Sequence, residues 1–223
     1  MPLPDEALQV EGGCNCRAIR YRVVIPARAE RPLHPLAPTE CPVAMPFLAL
    51  DHCNDCRKAT GSILPAWLCA PLDMCSVSIV ATSSATLVPK AAGREGQAKE
   101  QSGPWTSAGD VFTPTPGHAT ANADHFLTGY ESSHERWRWF CARCGTNVAY
   151  TAAMPAGFPP MLDITLGSVD RRYLDSDALV PERHLWWDYG IDWIRRLATE
   201  GYGALPVHPD YRIAETVKLQ QLS

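Results

Sequence analysis

Short runs of alternating apolar and polar residues recur along this chain and predict strands. In AIRYRVVIP, Ile19, Tyr21, Val23 and Ile25 fall on one face and Arg20 and Arg22 on the other, and Pro26 ends the run. PFLAL, after the proline-punctuated segment 27–46, is a short apolar run. ILPAWLCAPL reads as another strand, broken by Pro65 and Pro71. In ERWRWFCARCGTNVAY, Trp137, Trp139 and Cys141 alternate with Arg136, Arg138 and Phe140, and TNVAYT is the returning strand of a hairpin. MLDITLGSV alternates through Leu162, Ile164 and Leu166. A helical period occurs in YGIDWIRRLATEG, where Ile191, Ile194 and Leu197 or Ala198 share a face and Gly201 stops the helix. This predicts one short helix over Asp192–Thr199 in a mainly β, mostly antiparallel fold.

Between residues 76 and 124 the chain is rich in Ala, Ser, Thr, Gly and Pro. This stretch reads as an inserted loop flanked by short strands, loosest around Lys90 to Pro104. Residues 10–200 are taken as one domain, with 201–223 as a C-terminal extension.

Composition narrows the function. With 46% hydrophobic residues and a net charge of −4, the 223-residue chain has material for a core and no basic run. Nucleic acid is therefore not an expected partner. No stretch approaches the roughly 18 apolar residues of a membrane span, and MPLPDEALQV does not read as a secretory signal. A soluble, cytoplasmic protein without a membrane partner is expected. Nine cysteines, an odd number, then point to metal or catalysis rather than to disulfides.

Six of them form three groups: Cys14 and Cys16 in GGCNC, Cys53 and Cys56 in DHCNDC, and Cys141 and Cys144 in FCARCG. The last has the form of a zinc knuckle, with Gly145 freeing the backbone to turn toward the sulfurs. A knuckle supplies two ligands. Its partner could be the Cys53/Cys56 pair, giving a ribbon, or the Cys14/Cys16 pair, leaving Cys53 and Cys56 for a second, open site. Spacing does not choose between them. Cys41, Cys69 and Cys75 match no motif and are read as small buried residues.

GGCNCRAIRY, CNDCRKATGS, ESSHERWRWFCARCGTNVAY, LGSVD and PERHLWW, in that order, resemble the glutathione-dependent formaldehyde-activating enzyme family, which also includes centromere protein V. The resemblance runs from about Gly12 to Trp193, interrupted by the segment 76–124. It implies a β-tent of small antiparallel sheets around a structural zinc held by Cys14, Cys16, Cys141 and Cys144. It implies a second zinc on a C-x-C-x-x-C motif, and here the chain departs from the pattern: Asp51 stands where the family has cysteine. Asp51, Cys53 and Cys56 are then the catalytic ligand set. A carboxylate has a thiolate's charge but is a harder donor. His52 is the rival third ligand. Consecutive side chains of an extended segment point opposite ways, and the family's register favours Asp51.

Three protein ligands leave one position open. The implied activity is a carbon–sulfur lyase resembling S-(hydroxymethyl)glutathione synthase, with glutathione as the small-molecule thiol and formaldehyde as the aldehyde. Arg57 and Lys58 could pair with the carboxylates of glutathione, or be solvated surface charges. Trp137, Trp139, Trp186 and Trp187 are read as core, with cleft lining as the alternative. His184 is read as a hydrogen-bonded structural residue. The function alternative from another class is a non-catalytic zinc-binding β scaffold that binds a protein partner.

Overall fold

The computed structural model describes residues 3–84, 103–112, 120–121 and 124–201. Within these residues the fold is mainly β. Its strands are β1 (Leu8–Gly13), β2 (Ile19–Ile25), β3 (Phe47–Asp51), β4 (Ala66–Pro71), β5 (Cys75–Ile79), β6 (Trp105–Ser107), β7 (Thr120–Ala121), β8 (Leu127–Ser133), β9 (Arg136–Cys141), β10 (Asn147–Ala152), β11 (Met161–Thr165) and β12 (Arg183–Leu185). The helices are short: α1 (Asn54–Thr60), α2 (Arg171–Leu174) and α3 (Asp192–Glu200). Among the described residues no helix is long and apolar enough to cross a membrane.

The strands form two sheets, β1-β2-β5-β6 and β12-β3-β4-β11-β10-β9-β8-β7. Every pair is antiparallel except β12 with β3. One hydrophobic core draws on both sheets. The smaller sheet contributes Val10, Ile19, Tyr21, Val23, Ile25 and Val77. The larger one contributes Leu48, Leu68, Leu162, Ile164, Trp137 and Trp139. These are the apolar positions of the alternating runs, so burial of one strand face drives the pairing. The opposite face of the large sheet carries a second, smaller core of Met45, Phe47, Ala49, Cys56, Trp67, Cys69 and Met161.

Three expectations need correction. The segment after Ser76 is not all inserted loop: Ser76–Ile79 lies in β5, an interior strand paired with both β2 and β6. Val77, Ala108 and Phe112 are buried in the main core. Most of the stretch Lys90 to Pro104 lies outside the described residues, as does the extension beyond Gly201. Second, α3 is at its expected place but is not alone. In α1 (NDCRKAT) only Cys56 is buried, so the segment has no apolar period to betray a helix. Third, Trp137 and Trp139 are core, whereas Trp186 is 59% exposed and Trp187 37% exposed.

Candidate metal centres and an adjoining cleft

The turn between β1 and β2 carries Cys14 and Cys16; the end of β9 and the turn after it carry Cys141 and Cys144. Folding brings the four together, with their sulfurs within 4.8 Å of one another, an arrangement that could hold a metal ion. Cys14 Sγ lies 3.5 Å from Cys16 Sγ, and Cys16 Sγ lies 3.7 Å from Cys141 Sγ. A tetrahedron with metal–sulfur bonds of ~2.3 Å has edges of ~3.8 Å, so the spacing fits a thiolate site. Gly145, at φ 74°, makes the turn that closes the knuckle, and its N–H donates to the Cys141 carbonyl. The electrostatics ask for a cation. Hydrogen bonding to Cys141 and Cys144, with burial, pushes the Cys14 thiol far up, while hydrogen bonding with Cys14, Cys141 and Thr146 pushes the Cys144 thiol far down. Four clustered thiols share few charges unless a cation supports all of them.

The second group lies on the other face of the large sheet. Asp51 ends β3, and Cys53 caps α1, whose first turn carries Cys56. The ligand atoms of Asp51, Cys53 and Cys56 lie within 4.8 Å of one another and could hold a second ion. Asp51 is fixed from two sides: its Oδ1 accepts from the Cys53 N–H at 2.8 Å and its Oδ2 from the Trp67 indole N–H at 2.9 Å. Each oxygen keeps a lone pair for a metal, and such fixing is what an oriented carboxylate ligand needs. His52 turns away. Its Nε2 meets His184 Nδ1 at 3.0 Å, and its ring packs edge-on against Trp187. The structure thus keeps the two C-x-x-C motifs apart.

Arg138 completes this group. It is 3% exposed, and both terminal nitrogens donate to Cys56 Sγ, at 3.3 and 3.4 Å. Burial and Asp51 push the Cys56 thiol up, and Arg138 opposes them. A buried guanidinium keeps its charge, so its natural partner here is a Cys56 thiolate. Its plane also lies over the Tyr150 ring, 4.4 Å from the centroid.

These residues open on a cleft of about 410 Å³. Its floor is a cross-strand row on the outer face of the large sheet, Cys69–Asp163–Tyr150–Arg138, each paired with the next. Arg136 lines one side and Trp186 and Tyr189 the mouth. Trp186 takes φ 55°, a left-handed conformation rare for a bulky residue. Arg57 and Lys58 do not line the cleft: Arg57 reaches Asn54 and Lys58 is exposed. The cationic wall comes instead from β9, through Arg136 and Arg138, which sequence reading gave no role beyond alternating with Trp137 and Trp139. Asp163 was also missed. Its signal was a lone carboxylate in the apolar strand MLDIT, on the face opposite Leu162 and Ile164.

No family model matches the chain, and no curated protein matches it.

Proposed function

We propose that this protein is a zinc-dependent carbon–sulfur lyase that joins a thiol to an aldehyde and cleaves the adduct, as the resemblance to S-(hydroxymethyl)glutathione synthase implies for glutathione and formaldehyde. The observation that carries the reading is the position of Asp51, Cys53 and Cys56: three converging donors that line a cleft. Cys14, Cys16, Cys141 and Cys144 make a closed set of four, suited to a structural zinc; the three donors of the second set suit a zinc with one position free. When bound there, zinc supplies a Lewis acid that favours the thiolate form of a substrate thiol.

The chain's own residues supply the rest. Trp67 and the Cys53 N–H hold Asp51 in place. The three anionic donors exceed the charge of a dication by one, and Arg138 supplies the balancing positive charge through Cys56. Arg136 reaches only the neighbouring Glu135 carbonyl, at 3.0 Å, and forms no ion pair among the described residues. It is the cation that suits a carboxylate of the thiol substrate. Trp186 and Tyr189 offer aromatic surface at the mouth for its uncharged part.

Zinc analysis of the purified chain, combined with NMR exchange spectroscopy of glutathione and formaldehyde, tests the reading. Two zinc ions per chain are expected, the second lost in Asp51→Ala together with acceleration of the exchange. One tightly held zinc and no acceleration would point to the scaffold reading instead.

A further inference from the structure

Resting on the thiol–aldehyde reading, we propose that Asp163 is the general acid–base residue of the cleft, taking the proton of the incoming thiol and delivering it to the aldehyde oxygen. Joining a thiol to a carbonyl needs such a relay. The thiol gives up a proton on becoming a nucleophile, and the carbonyl oxygen needs one once the carbon–sulfur bond forms. One carboxylate can do both. Asp163 accepts the thiol proton; the sulfur lone pair forms the bond to the carbonyl carbon; the C=O π pair moves to oxygen; and the Asp163 proton follows it there. Thiol and aldehyde become a hydroxyalkyl thioether, no electron is gained or lost, and Asp163 ends as the carboxylate it began as. Cleavage runs the same steps backward.

The placement supports this role. Asp163 lies at the centre of β11 with its side chain on the cleft face, between Cys69 of β4 and Tyr150 of β10 in register. It lines the same cleft as Asp51, Cys53 and Cys56. Among the described residues no ion pair holds it; its partner is the Cys69 thiol. An acidic side chain at the centre of a sheet, without a cation paired to it, is costly unless its protonation is used.

The groups facing it are Cys69, Tyr150, Arg138 and Asp51. Burial pushes the Asp163 carboxyl up to about 7; Asp51 adds to this, and the Cys69 hydrogen bond and Arg138 oppose it. Its neighbours are poor relays at neutral pH. Burial pushes the Tyr150 phenol up to about 12 and the Cys69 thiol well above its usual range. The His52–His184 pair faces away from the cleft. Asp163 is thus the lining group poised to gain and lose a proton near pH 7, where a general acid–base works best.

The test uses the zinc-loaded full chain. Asp163→Asn, close in shape, should keep the wild-type zinc content and circular dichroism, slow the exchange of glutathione with formaldehyde by about 100-fold or more, and erase the pH dependence near 7. Asp163→Glu should restore part of the rate. In the wild type, a ¹³C-labelled Asp163 carboxyl should titrate near pH 7. A wild-type rate and pH profile in Asp163→Asn overturn the assignment while leaving the lyase reading intact. So does a labelled carboxyl that stays ionised down to pH 5, a readout that needs no variant to fold. A wild-type chain that does not accelerate the exchange overturns both.

Discussion

Asp163 shows how one residue can set a pH dependence for the whole fold. In the unfolded chain its carboxyl loses its proton near the ordinary value of 3.8; in the folded chain burial moves this to about 7. The folded state therefore binds this proton more tightly. The stability it contributes is fully present below pH ~4 and is lost as pH rises through 7, because the native state must then hold a buried carboxylate or bind a proton from dilute solution. Asn cannot ionise. Asp163→Asn should melt higher than the wild type at pH 8, and the gap should narrow as pH falls to 5.5. Thermal melts of both zinc-loaded chains across that range check the sign. A gap that widens toward acid would mean that burial does not dominate at this carboxyl. The same substitution is expected to slow the reaction, so stability and catalysis would pull in opposite directions at one position.

The element that carries the second site is α1, and it is short. Seven residues form it, Cys53 caps it, and Gly61 ends it at φ 70° with its N–H on the Arg57 carbonyl. Nothing lies within 4 Å of a Cβ added at Gly61, so a clash would not confound a substitution there. Gly61→Ala should then cost roughly 1–2 kcal/mol from the left-handed backbone alone. It should loosen the zinc at Cys56 while leaving the four-cysteine site filled; competition with a chromophoric chelator measures the two separately. Equal weakening of both sites would show that α1 is not an independent support. The same element marks what could be read from sequence. β2, β9 and β11 were legible because one face of each packs in a shared core and alternation follows, whereas β4, buried on both faces, showed as a short apolar run between prolines and β10 as the return of a hairpin. α3 was legible because Ile194 and its neighbours keep a helical period. α1 was not, because Cys56 is its one buried residue. Ser76–Ile79 does alternate, Val77 and Ile79 against Ser76 and Ser78, but the run is short and opens a stretch rich in Ala, Ser, Thr, Gly and Pro; pairing with β2 and β6 makes it a strand. The site was half legible for a related reason. Cysteines announce their chemistry by spacing, whereas Arg136, Arg138 and Asp163 become neighbours through pairing of β9, β10 and β11, which no local pattern reports.

At the scale of the whole molecule the two candidate centres have different tasks, because they join different things. Asp51, Cys53 and Cys56 lie within six residues of one another on the outer face of the large sheet, so a metal there closes almost no loop. Cys14 and Cys16 belong to the β1–β2 turn of the small sheet, and Cys141 and Cys144 to the end of β9 and the turn after it in the large one. Cys16 and Cys141 are 125 positions apart. A cross-link over so long a loop removes conformational freedom from the unfolded chain worth about 4–5 kcal/mol in the chain-entropy description. It also pins the two sheets together where the β1–β2 and β9–β10 hairpins meet. Cys144→Ser should therefore lower the melting temperature sharply, whereas Asp51→Ala should lower it little while emptying the cleft site. In a chelator titration followed by far-ultraviolet circular dichroism and zinc release, the first equivalent should leave with the fold intact and the second together with it. If both equivalents left a folded chain behind, the shared core of Val10, Tyr21, Leu68 and Trp139 would hold the sheets together by itself, and the four-cysteine cluster would have to be assigned another task.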